Sequence, residues 1–491
     1  MHIVPTESLK RNSSPNLILF VVCIGIFLAA LDQTVIYGAL ADIMLDLHMP
    51  VTELDQAAWI VTGYLLGYTF AMPLVGRISD VYGHRLIYIL AMLIFIVGSV
   101  FIALVDNFNL MVAARVLQAI GGGAVVPVAM AIVGDTYSVK RRAIAMGIIG
   151  AAVEGGGALG PSYGGVIAQY VNWRWIFWIN IPVGLIVIAL VYFLVKGSPR
   201  IQARVDYQGG LLLAVSLALL SVGFSQQLDQ QHAGLYMAGF LVASVLFFAL
   251  FIYRELRAPE PLFRLSMFRV LTFAMANITH LLVGGALIIA MITVPLMADT
   301  IMQKSPLEGG LRLMRLTVMI PIGAILGGFL CHRLGYRFPT ILGLISSSVG
   351  FFFMSRWTLE VAEPYLTIHL AICGFGFGLV ISPITTAILN SVREDERGIA
   401  SALVTVMRMV GMIVGLSAIS SFGMGHFHTM TAEMSLQDII NTPQELEDAV
   451  LSLFQNFFLA AAIVCLLAIL PALRMRAKPG KEMGGYHISG I

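Results

Sequence analysis

The segment GRISDVYGHR, Gly76 to Arg85, recurs in altered form as GFLCHRLGYR, Gly328 to Arg337. Both open on Gly, carry another Gly seven residues on and close on Arg, and the offset between them is 252 residues. A second pair of marks sits at nearly the same distance. Pro127, preceded by Gly121, Gly122 and Gly123, corresponds to Pro383, preceded by Gly374, Gly376 and Gly378, at an offset of 256. A near-constant shift of this length predicts two related halves in one chain.

The composition sets the medium in which those halves fold. Of 491 residues, 58% are hydrophobic and 11% charged, and the mean hydropathy is +0.90. Soluble domains carry about 25% charged residues, so a water-soluble enzyme, a nucleic-acid binder and a disordered chain are excluded. A net charge of +2 gives no reason to expect a polyanion partner. The four cysteines, Cys23, Cys331, Cys373 and Cys465, lie in apolar runs without metal or disulfide spacing and read as small buried hydrophobes. No phosphate-binding loop, Ser-His-Asp set or metal-ligand spacing is present, so neither catalysis nor a cofactor is expected.

A helix needs about 20 mostly apolar residues to cross a bilayer. Fourteen such runs are found: six between Leu17 and Val195, two between Gly209 and Tyr253, and six between Thr272 and Leu473. The expected fold is an all-α, multi-pass membrane protein of 6+2+6 helices, with residues 1–195 and 270–491 as two pseudo-symmetric bundles and 196–269 as an inserted pair with cytoplasmic linkers. With the N-terminus in the cytoplasm, 22 of the 29 Lys and Arg face that side, five face outside and two lie within helices. The positive-inside rule therefore puts both termini in the cytoplasm. Thr442, Pro443 and Glu445 read as the capped start of the last helix, above the membrane.

At this point the motifs resemble the major facilitator superfamily over nearly the whole chain. Gly76, Asp80, Gly83 and Arg85 match its cytoplasmic signature; Arg115, Gln118 and Gly121 resemble that of its fourth helix. Gly160, Pro161, Gly164 and Gly165 match the antiporter motif of the fifth. LDQTV, Leu31 to Val35, and WRWIFWINIPVG, Trp173 to Gly184, resemble the fourteen-helix drug:proton antiporter branch. AWIVTGYLLGYTFAMPLVGR, VEGGGALGP and VMRMVGM resemble actinobacterial exporters of triacylglycerol and glycolipid that work beside a lipid-carrying lipoprotein. Val81, His84 and Ala119 depart from the family pattern and thin its cytoplasmic charge network.

Charges in apolar helices are costly, and those retained usually face a cavity and pair. Asp32 and Glu154 each read either as a proton carrier, loading outside and releasing inside, or as a structural acid bonding a neighbouring helix. Arg408 lies at the repeat-equivalent depth of Glu154, within one residue of a 255-residue shift. The resemblance implies that Asp32, Glu154 and Arg408 carry coupling. Arg115 reads equally as a modulator of proton transfer or an anchor on backbone carbonyls. Asp80 and Arg85 are expected to pair as a cytoplasmic latch. Arg312 and Arg315 share a helix face near the outer end of their run, and read as snorkelling residues or as lipid-phosphate contacts. The leading expectation is a proton-coupled antiporter in the cell membrane exporting hydrophobic or amphipathic compounds, multidrug-type. The alternative is a lipid or glycolipid exporter; from another class, a non-transporting membrane sensor.

Overall fold

The computed structural model describes residues 14–49, 54–137, 139–197, 205–224, 233–259, 261–393, 396–419 and 443–475. Among them, thirteen helices are long and apolar enough to cross a membrane. In the first half these are α1 (Pro15–Val35, continued by a short 3-10 turn), α3 (Leu54–Tyr82), α4 (His84–Leu104), α5 (Phe108–Thr136) and α7 (Trp175–Leu194), with the short α2 (Leu40–Asp46) between the first two. The remaining expected run, Ala143 to Ala168, lies within α6 (Val139–Tyr170), whose 32 residues extend roughly 48 Å at about 1.5 Å per residue. α8 (Tyr207–Phe224) and α9 (Ala233–Arg257) are the inserted pair. The second half comprises α10 (Leu271–Thr300), α11 (Pro306–Thr317) with α12 (Met319–Leu334), α13 (Arg337–Met354), α14 (Glu363–Asn390), α15 (Arg397–Ala418) and α16 (Pro443–Arg474). The fold is all-α, two six-helix bundles with two helices between. α16 starts at Pro443, about two turns before its apolar run; Thr442 and most of the preceding connection lie outside the described residues.

The repeated motif now has a physical reason. Gly83 and Gly335 occupy left-handed backbone, at φ of 100° and 81°, and turn α3 into α4 and α12 into α13. A side chain there meets its own backbone, which is why the glycine recurs. The halves differ where α3 runs unbroken but its counterpart divides into α11 and α12 at Val318. Pro321 lacks the N–H that Thr317 would receive in a continuous helix.

The seam between bundles obeys the same repeat: α6 packs on α11, and α15, which corresponds to α6, packs on α3. α8 leans on both α3 and α15. It is joined to α9 by a reciprocal pair of bonds, Ser216 Oγ to Ser244 O at 3.0 Å and Ser244 Oγ to Ser216 O at 2.8 Å. Such hydroxyl-to-carbonyl bonds hold helices together where no hydrophobic drive exists between them.

Candidate functional site

Among the described residues, two charged centres are set within the apolar helices. The first lies wholly in the N-terminal bundle. Asp32 on α1, completely buried, accepts from Arg115 Nη1 at 2.9 Å, Gln118 Nε2 at 3.0 Å and Asn180 Nδ2 at 2.8 Å. Arg115 also donates to Gln118 Oε1 at 2.7 Å, and Gln118 to Ser99 Oγ at 2.8 Å. The guanidinium lies over the Tyr64 ring, 4.2 Å from its centroid, with its Nε unpartnered among the described residues. The knot thus ties α1, α4, α5 and α7 together under a ring from α3. A charge this deep persists because nearly every polar atom around it is paired.

The second centre lies between the bundles. Glu154 on α6 faces Arg408 on α15, Oε1 to Nη1 3.6 Å, their side chains 39% and 14% exposed. They line a cavity of about 50 Å³ with Gln33, Thr34, Met291, Thr317, Met409 and Met412. That admits a few waters and no larger molecule. Gln33 Nε2 reaches Met409 Sδ across the seam at 3.2 Å, and Thr317 Oγ1 donates to Ala158 O at 2.8 Å. The pair is long and half-wet, which suits a contact that must break.

The antiporter motif lies on α6 just past this cavity, whose lining on that helix ends at Ala158. A Cβ on Gly160 or Gly164 would strike Thr34 or the Val35 carbonyl, so these glycines let α1 lie against α6. Gly165 abuts the Pro306 carbonyl and Gly310 the Pro161 carbonyl, and Leu307 N donates to Gln169 Oε1 at 3.3 Å. Backbone meets backbone at both places, so no side chain can yield. We expect Gly310→Val to force α6 and α11 apart and lower the disulfide yield between cysteines introduced at Gln169 and Leu307 at least threefold. An undiminished yield would show the contact to be dispensable.

At the other end the expected latch does not form. Asp80 lies 3.7 Å from Arg77, while Arg85 donates to the Val195 carbonyl at 3.3 Å and lies 4.9 Å from the Tyr192 ring centroid. Gly83 turns the chain between them, so Arg85 starts α4 facing the C-terminal end of α7, where unpaired carbonyls attract a cation. Gly76 instead passes Pro127 of α5. His84, one of the departures from the family pattern, bridges Ser79 and Asp135 at 3.1 and 3.5 Å. Arg312 and Arg315 both bind Glu363 of α14, Arg312 at 3.2 Å, and Arg315 also donates to Thr367 Oγ1 at 2.7 Å.

Sequence reasoning missed Ser99, Asn180 and Tyr64 as parts of the first centre. Asn180 had a signal, being the one amide side chain in the hydrophobic stretch between Phe177 and Gly184.

A multi-pass helical membrane protein of two related bundles is the class of protein these features define. A model of the Major Facilitator Superfamily matches residues 22–416, with a second, overlapping match over 278–485. The chain is 34% identical over 502 residues to a triacylglyceride transporter of Mycolicibacterium smegmatis, covering 96% of this chain and 89% of that one. It is 37% identical over 420 residues to a triacylglyceride transporter of Mycobacteroides abscessus, covering 82% of each. In fold it is similar to a bacterial homologue of the human lysosomal transporter Spinster, in an inward-facing, unoccupied conformation, with a TM-score of 0.66 at 18% identity over 95% of this chain and 99% of that one. The chain belongs to the Major Facilitator Superfamily and is a multi-pass membrane transporter of it.

Proposed function

We propose that this transporter is a proton-coupled exporter of triacylglycerol-type lipid. The finding that carries the reading is the near full-length likeness to triacylglyceride transporters. A second observation favours a greasy substrate: an apolar cavity of about 600 Å³ among α10, α15 and α16, where Asn456 is the one polar residue among the described residues of its lining. That volume falls in the ~300–1,000 Å³ range of small-molecule sites.

Residues 1–195 and 270–491 rock about the seam, with 196–269 inserted and both termini cytoplasmic. Glu154 is the carboxyl that exchanges protons with the central cavity. Ionised, it holds Arg408 and draws the bundles together; protonated, it releases Arg408 and the seam opens. Asp32, completely buried, acts through Arg115 by keeping the N-terminal bundle rigid. Lipid leaves on the outer side, where a lipid-carrying lipoprotein is the partner suited to receive it. The methionines at the cavity, Met291, Met409 and Met412, adapt to irregular shapes and favour multidrug export as the second reading.

Reconstitution tests the choice. In proteoliposomes with an imposed pH gradient, transfer of a fluorescent triacylglycerol is expected to run at least tenfold faster than with the gradient collapsed. Gradient-driven movement of a lipophilic cationic dye with no lipid transfer would assign the multidrug reading. Movement of neither would leave the sensor reading.

A further inference from the structure

His280 on α10 is 1% exposed and takes no part in lining the central cavity. Its Nδ1 stands 3.0 Å from the Val404 carbonyl of α15. A carbonyl only accepts, so Nδ1 carries the hydrogen, and Nε2 is left buried without a partner among the described residues. Burying an unpaired polar atom is unfavourable, and Leu or Met would fill the site without it. What the imidazole supplies is the bond from Nδ1.

The place of that bond is telling. Val404 lies one turn before Arg408, on the same helix face. One turn along α10 from His280, Gly284 lets the two backbones touch, because a Cβ there would strike the Arg408 carbonyl. α10 therefore grips α15 at both ends of the turn that bears Arg408.

We propose that His280 is a positioning residue of the coupling pair, holding this turn of α15 so that the Arg408 guanidinium faces Glu154 across the seam. The inference rests on the proton-coupled reading above for its functional consequence, but its geometry is testable without substrate. Cysteines replacing Gln33 and Met409, whose parent side chains lie 3.2 Å apart, report the seat of α15. His280→Ala is expected to lower their disulfide yield at least threefold. His280→Asn, whose amide N–H falls near the place of Nδ1, should restore it; His280→Gln, whose amide falls near that of Nε2, should not. Unchanged yield in His280→Ala, or equal rescue by Asn and Gln, would overturn the proposal, and if His280→Ala fails to fold, the Asn–Gln comparison decides.

In proteoliposomes the same order is expected for gradient-driven transfer of a fluorescent triacylglycerol, with about a tenfold loss in His280→Ala and downhill transfer retained. Glu154→Gln in the same vesicles separates the two ideas. Full gradient-driven transfer in that variant would remove the coupling reading, whereas the cross-link pattern judges His280 alone.

Discussion

Glu154→Gln is expected to reduce gradient-driven lipid export at least 100-fold while leaving downhill transfer within about threefold of the unmodified protein. The amide copies the shape of the protonated acid but neither releases nor accepts a proton. Arg408 then has no anion to return to, and the 3.6 Å contact that closes the seam is not remade in each cycle. A 100-fold loss corresponds to about 2.7 kcal/mol, within reach of one charge-assisted contact made in only one of two states. Arg408→Lys keeps the charge and loses the planar fork, so partial export is expected; Arg408→Ala should resemble Glu154→Gln. The measurement is initial transfer rate in proteoliposomes, with and without a pH gradient. Gradient-driven export at the unmodified rate in Glu154→Gln would remove this carboxyl as a carrier.

Asp32→Ala carries the largest expected effect on stability. It strips the acceptor from three buried donors and leaves Arg115, with 0% exposure, uncompensated. Breaking a buried ion pair by removing one partner costs about 3–5 kcal/mol. Thermal unfolding in detergent should therefore begin several degrees lower, with reduced yield of folded protein. Asp32→Asn keeps an oxygen for Gln118 and Asn180 and should fall between. The double change Asp32→Ala, Arg115→Met removes both charges and is expected to recover much of the loss, since an apolar replacement of a buried pair is often close to neutral. If Asp32→Ala melts with the unmodified protein, the knot is not what holds α1, α4, α5 and α7 together.

The sequence was most informative where composition or periodicity leaves little choice. An acid or an arginine in an apolar run stands out at once, so Asp32, Glu154, Arg115 and Arg408 were all legible. The repeat set the depth of Arg408 against Glu154, because corresponding helices of two related bundles cross the membrane in step. It failed where a partner depends on the direction a side chain leaves its helix. Asp80 and Arg85 are five residues apart, yet the turn at Gly83 sends them to different neighbours. Arg312 and Arg315 looked outward until α14 supplied Glu363.

By itself, then, the sequence determined the all-α membrane fold, its two related halves, the inserted pair and which charges lie within apolar helices. A hydropathy pattern measures position along the membrane normal, and a long repeat carries that measure from one half to the other. Only the tertiary structure decided which charges meet: Asp32 with Arg115 inside one bundle, Glu154 with Arg408 across the seam, and His280 against the turn that bears Arg408. Those pairings depend on rotation about each helix axis and on which helix packs beside it, and both are set by contacts between residues more than a hundred positions apart in two of these pairs and eighty-three in the other.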